Sequence, residues 1–94
     1  MPLLMTHFYP GGTAEQYASI LAAVHPDGAL PAGQLVSAAG PTNGGWLISA
    51  VWESRDALQT FVTETLEPSL ATLTDGFRSA PKERLADCTL FQTA

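Results

Sequence analysis

The segment Leu3 to Tyr9, LLMTHFY, sets a histidine among apolar and aromatic neighbours. An imidazole exchanges a proton near neutral pH, so His7 is the candidate general base or hydrogen-bond donor; the other reading is a hydrogen-bonded sheet histidine. If the segment is extended, Met5, His7 and Tyr9 share one face and add an apolar side chain and a phenol to the same wall. A second wall is offered by GGWLISAVWES, Gly44 to Ser54. Alternation there puts Trp46, Ile48, Ala50 and Trp52 on one side and Leu47, Ser49, Val51 and Glu53 on the other. Arg78, beside Phe77, either reaches over a cavity mouth to hold an anionic or phenolic ligand or stands in solvent. His25 precedes a proline at a helix end, where a protonated imidazole would complement the helix dipole as a cap.

Other chemistries lack their residues. Two separated histidines, one cysteine and scattered carboxylates give no ligand pair at metal-binding spacing, so no intrinsic metal and no bound cofactor are expected; a haem would have His7 alone as its ligand. Gly11-Gly12 and Gly44-Gly45 lack the spacing and the lysine of a phosphate loop. No serine stands in a nucleophile-elbow context. Cys88, in ADCTLF, reads as a small apolar thiol packed in a strand with no basic neighbour to activate it.

Turn and cap signals divide the chain. Leu3 to Tyr9 is a strand ended by Pro10-Gly11-Gly12. In TAEQYASILAAVH, Thr13 and Gln16 form a capping box, and Tyr17, Ile20, Leu21 and Val24 follow at helical spacing until Pro26-Asp27-Gly28. Gln34 to Gly40 is a second strand, Asn43-Gly44 suits a tight hairpin, and Gly44 to Ser54 is the third strand. Ser54 caps a second helix with Asp56 in its first turn and an apolar stripe of Ala57, Leu58, Phe61, Val62, Leu66 and Leu70. Pro68 cannot donate into the helix ladder, which predicts a kink or break near Glu67. Thr74 to Pro81 is irregular, and Arg84 to Phe91 is a last strand. The order βαββαβ in one domain spanning residues 1–94 implies an α+β, ferredoxin-like fold, an antiparallel four-stranded sheet with both helices on one face.

Two helices cover one face of such a sheet, yet the third strand is largely apolar on both. With 46% hydrophobic and only 14% charged residues, the chain has little charge with which to clothe a monomer. Burying each tryptophan against a partner, at roughly 25 cal/mol per Å² over ~200 Å², contributes on the order of 5 kcal/mol per side. The expectation is a homodimer in which the face bearing Trp46 and Trp52 meets its twin and encloses a barrel-like space. A formal charge of −5 with four Lys and Arg in total argues against nucleic acid and anionic membranes. The start MPLLM has no basic n-region or long apolar stretch, and a lone cysteine excludes an internal disulfide, so the expected location is the cytoplasm.

Together HFYPGGTAEQY, GQLVSAAGP, GGWLISAVWES and the following Arg55-Asp56-Ala57-Leu58 resemble the dimeric α+β barrel superfamily, which includes antibiotic-biosynthesis-type monooxygenases. The resemblance implies a homodimer with a cavity in each barrel, and small-molecule oxygenation, haem degradation or decarboxylation. In the quinol-oxidising branch the tryptophan ending the third strand lines the cavity, which implies Trp52 there and, by alternation, Trp46, Ile48 and Ala50. The asparagine that branch carries four residues earlier is Ile48 here. The tryptophan and histidine of the haem-degrading branch align with Phe61 and Ala71. The resemblance also implies a polar group entering the cavity from the first strand, the side on which His7 stands with Met5 and Tyr9. The function so implied is a cofactor-independent, monooxygenase-like activity on an aromatic or polyketide-type compound in the dimer cavity, with His7 as proton acceptor and Met5, Tyr9, Trp46, Ile48, Trp52 and Arg78 as ligand-binding residues. The alternative is a non-catalytic ligand-binding or structural homodimer.

Overall fold

The computed structural model describes residues 1–93. Strand β1, Leu3–Pro10, alternates strictly between buried and less buried side chains, as a strand with one face on a core must. Helix α1, Ala14–Val24, begins at the predicted capping box: the Gln16 N–H donates to Thr13 Oγ1 and the Thr13 N–H donates to Gln16 Oε1. Strands β2, Gln34–Thr42, and β3, Gly45–Trp52, form a hairpin through Asn43 and Gly44. Gly44 alone takes a positive φ there, +83°. At Gly45, any β-carbon would collide with the Tyr9 carbonyl, so only glycine lets β1 and β3 approach at this end.

The second helical region starts at Arg55 under the Ser54 cap, whose Oγ accepts from the Ala57 N–H at 3.1 Å. It runs as helix α2, Arg55–Phe61, then a π-helical stretch, Val62–Leu66, then helix α3, Glu67–Thr72. The expected break near Glu67 is instead a widened turn. The Glu67 N–H reaches back five residues to the Val62 carbonyl. Pro68 explains it: the ring has no N–H to give the Glu64 carbonyl and would strike it in α geometry, and one widened turn relieves both problems without ending the helix.

Strand β4, Lys82–Asp87, starts two residues earlier and ends four residues earlier than its sequence suggested. Its pairing with β1 runs from Phe8 opposite Lys82 to Leu3 opposite Asp87 and stops where β1 begins. Cys88 therefore lies just beyond the strand, buried and unpaired in disulfide terms, its thiol donating to the Leu90 carbonyl. The sheet order is β2-β3-β1-β4, all antiparallel, which with the helices gives the expected ferredoxin-like α+β fold.

Register decides which side chains share a face. Leu3 opposes Trp52, Met5 opposes Ala50, His7 opposes Ile48 and Tyr9 opposes Trp46, so these eight stand together. They face the chain's own helices: Leu3, Met5, Ala50 and Trp52 form one buried cluster with Leu58 of α2, and Phe61 packs against it. This overturns the expectation that the tryptophan face lies open for a second subunit. Trp52 is 1% exposed and Trp46 8% within a single chain. The physical reason is that the face of β3 with no polar side chain gains most from burial, and the helices of the same chain offer that burial at any concentration. The face left uncovered carries Leu4, Val36 and Leu47 together with Thr6, Ser49 and Arg84.

Candidate functional site

Between the sheet and the helices lies a cavity of about 50 Å³. Strand β1 contributes Met5, His7 and Tyr9 to its wall, β2 contributes Gln34 and Ser37, and β3 contributes Ile48 and Trp52. The helices close it with side chains that include Tyr17, Ile20, Leu58 and Phe61, and the segment after α3 adds Phe77. Of the residues singled out from sequence, Met5, His7, Tyr9, Ile48 and Trp52 therefore meet around one space. Trp46 lies further along the same face, its ring 5.2 Å from that of Tyr17, and is not part of the wall. Arg78 is exposed and is likewise not on the wall. Because the space lies beneath the chain's own helices, the residues expected to line a chamber between subunits line one within the protomer.

The polar centre of the wall is His7. Its Nε2 lies 2.7 Å from Glu83 Oε2, across the β1–β4 pairing that sets these two residues opposite each other. An ionised carboxylate only accepts, so Nε2 is the donor of this bond, and in the neutral tautomer that makes it Nδ1 keeps a free lone pair. The His7 side chain is 6% exposed while that of Glu83 is 43% exposed. The pair thus links an enclosed imidazole to a carboxylate in contact with water.

The other titratable groups are held neutral. Burial, the nearby Glu83 carboxylate and Tyr17 push the Tyr9 phenol up to about 12. Burial also raises Tyr17, with Ser37 partly opposing it. Burial lowers His25, whose backbone N–H caps α1 on the Leu21 carbonyl while the residue lines the cavity. The C-cap position was foreseen for His25; a charged imidazole complementing the dipole was not the outcome, because burial disfavours the cation. None of the four basic side chains lies on the wall.

The segment after α3 closes one end. The Phe77 ring stacks on Tyr9 with centroids 4.0 Å apart and lies near Tyr17. Two hydrogen bonds moor this segment: the Ser19 hydroxyl donates to Asp75 Oδ2 at 2.8 Å and the Ser79 hydroxyl donates to the Pro10 carbonyl at 2.9 Å.

Glu83, Gln34, Ser37 and Phe77 were not found by sequence reasoning. Glu83 was legible in principle, since Glu83, Leu85 and Asp87 alternate onto one face once the strand is started at Lys82. Gln34 and Ser37 carried no signal beyond membership of a strand. Among the described residues, no three His, Cys, Asp or Glu side chains converge in a way that could hold a metal ion. A porphyrin does not fit a space of about 50 Å³.

The same architecture recurs in solved structures at low sequence identity. A variant of SnoaB, a cofactor-independent oxygenase from Streptomyces nogalater, matches with a TM-score of 0.63 and 15% identity over 96% of this chain and 94% of that one. The monooxygenase of the ActVA-Orf6 gene of Streptomyces coelicolor, solved with nanaomycin D, matches with a TM-score of 0.57 and 18% identity, covering 99% of this chain and 91% of that one. Rv0793 from Mycobacterium tuberculosis matches over the full length of both chains with a TM-score of 0.66 and 16% identity. No protein-family model and no curated relative matches the sequence. The chain thus shares its ferredoxin-like α+β fold with these structures.

Proposed function

We propose that this protein binds a small aromatic compound in the cavity between its own helices and sheet and acts on it as a cofactor-independent, monooxygenase-like enzyme. The observation that carries this reading is the 2.7 Å His7–Glu83 pair on the wall of an otherwise largely apolar space. An apolar cavity with one convergent polar centre is the arrangement in which a bound ring is oriented and a proton removed from it. The chemistry that fits is attack of dioxygen on a ring carbon made electron-rich by loss of a proton to His7. For a ring methylene the balance is R₂CH₂ + O₂ → R₂C=O + H₂O, with both hydrogens leaving in the water. Met5, Tyr9, Ile48 and Trp52 shape the wall, whereas Trp46 and Arg78 act from outside it. That two proteins of this fold are oxygenases supports the reaction class and names no substrate.

The space for a ring decides the size of the compound. A cavity of about 50 Å³ has room for roughly four waters at ~10–15 Å³ each and is about a third of the ~150 Å³ that encloses a benzene, so one substituted six-membered ring enters only as the wall yields. A polyketide-sized ligand requires Phe77 to withdraw. The same narrowness favours a second reading, a non-catalytic ligand-binding or structural homodimer. In both readings the partner is another copy of the chain, docked through the open face bearing Leu4, Val36 and Leu47. Neither nucleic acid nor a membrane is proposed as a partner, and among the described residues no helix is long and apolar enough to cross a bilayer. The buried free thiol of Cys88 suits a reducing compartment, and we place the protein in the cytoplasm.

The test is aerobic incubation with a monocyclic quinol and with anthrone, comparing the native chain with His7→Ala and Glu83→Gln. Loss of the proton acceptor lowers turnover by about 10²- to 10⁴-fold, and Glu83→Gln lowers it less because the imidazole remains. Equal turnover in native and His7→Ala protein removes His7 from the chemistry. Absence of turnover in all three, with binding retained, favours the non-catalytic reading.

A further inference from the structure

Among the described residues three enclosed side-chain polar atoms find no partner in the chain, Trp46 Nε1 away from the cavity and two on residues that line it. Gln34 Oε1 and Trp52 Nε1 are both enclosed and have no hydrogen-bond partner. Their juxtaposition is built into the sheet: Gln34 opens β2 directly opposite Trp52 at the end of β3, just before the irregularity at Val36, and both residues line the same cavity. An enclosed donor or acceptor without a partner is costly, and native proteins rarely leave one, so one of each on paired residues that line a single cavity point to a common partner there. One is a fixed donor, the indole N–H, and the other an acceptor, the amide oxygen. Their complement is an edge presenting a carbonyl beside an N–H or O–H.

Resting on the reading of this cavity as the ligand site, we propose that Gln34 is a specificity-determining residue. With Trp52 it selects a neutral, single-ring ligand that carries adjacent hydrogen-bond donor and acceptor groups, as in a cyclic amide or an enolised hydroxyketone. Neutrality follows from the wall, which has no lysine or arginine to balance an anion and has the Glu83 carboxylate nearby to repel one. The volume of about 50 Å³, about a third of the ~150 Å³ that takes a benzene, sets one ring as the upper limit, admitted as the wall yields. A hydrophobic wall discriminates weakly between rings of one shape, whereas a site built to pair both groups rejects an analogue that lacks one of them.

The test compares 2-pyridone, N-methyl-2-pyridone and toluene on the native chain and on Gln34→Leu and Gln34→Glu, by NMR titration following the Trp52 indole resonance, assigned with Trp46→Phe. The expected result is that the native chain binds 2-pyridone at least tenfold more tightly than its N-methyl analogue and that the Trp52 N–H resonance moves. Gln34→Leu brings the two affinities together while toluene binds as before, and Gln34→Glu, which keeps an acceptor, restores the preference. If the native chain binds both pyridones equally, or Gln34→Leu still discriminates between them, the proposal is overturned and water serves the two atoms. If toluene fails to enter the native chain, the cavity is not a ligand site, and both this proposal and the reading beneath it fall.

Discussion

Burial without a nearby positive charge fixes the protonation of the groups around His7, and this has a sign that solution measurements can read. Tyr9 is pushed up to about 12 from an ordinary value of 10.0, so above pH 10 the unfolded chain releases a proton that the folded chain keeps. Folding stability from this group is complete below pH 10 and falls as pH rises toward 12. Urea midpoints measured from pH 8 to 11.5 should decline, and Tyr9→Phe should flatten that decline, with Tyr17 accounting for a remainder. His25 acts at the other limb. Its lowered value means that below about 6.5 the unfolded chain takes up a proton that the folded chain refuses. Stability is therefore full above that pH and drops as acid is added, and His25→Gln should lessen the drop. At this scale the sequence showed His7 and Trp52 because each is conspicuous by type. It hid Glu83 and Gln34, whose importance comes only from the strand opposite: a glutamate or glutamine is ordinary until register sets it against His7 or Trp52.

The elements were legible where a cap or turn names them. Thr13 with Gln16, Ser54, and Asn43-Gly44 each mark a boundary by local hydrogen bonding or backbone geometry, and each stands where it was read. Boundaries fixed by distant pairing were not legible. Strand β4 ends at Asp87 because β1 begins at Leu3, a fact that no window around Cys88 contains. The outcome at Pro68 was half visible: a proline announces a missing donor, but whether the chain breaks or widens depends on what the helix packs against. Here the residues that flank or end the widened turn, Phe61 and Leu66, both line the cavity. Leu58, one turn earlier, is 5% exposed in the central cluster. Leu58→Ala should cost about 3 kcal/mol in urea unfolding, while Ser54→Ala should cost about 1 kcal/mol through the lost cap. A smaller loss at Leu58 than at Ser54 would contradict the placement of the core between α2 and the sheet.

For the whole molecule, the sheet has one dry side and one side of mixed character, and the sequence reading exchanged the coverings of the two. Seven of the eight side chains, all but Leu3, were grouped correctly because alternation along β1 and β3 is unambiguous. What covers them depends on comparing faces: Ser49 and Glu53 make the opposite face of β3 the more polar one, and in a 94-residue chain the helices take the drier side. The consequence for association is that the proposed dimer rests on Leu4, Val36 and Leu47, each close to 40% exposed, rather than on tryptophan. Leu47→Lys should shift light-scattering mass toward that of one chain, leaving the unfolding midpoint of the subunit nearly unchanged, because the substituted position bears no core contact. An unaltered mass in the variant, with the native protein dimeric, would assign the interface elsewhere.

The ring of Phe77, laid flat against Tyr9 and held by two surface hydrogen bonds, bears on the speed of uptake. A guest must wait for that segment to swing aside, so in stopped-flow mixing the observed rate should level off at high guest concentration, at the opening frequency of the segment. Ser79→Ala, by cutting one mooring, should raise that plateau while altering equilibrium occupancy far less, which would make this stretch the clock of the protein rather than its selector.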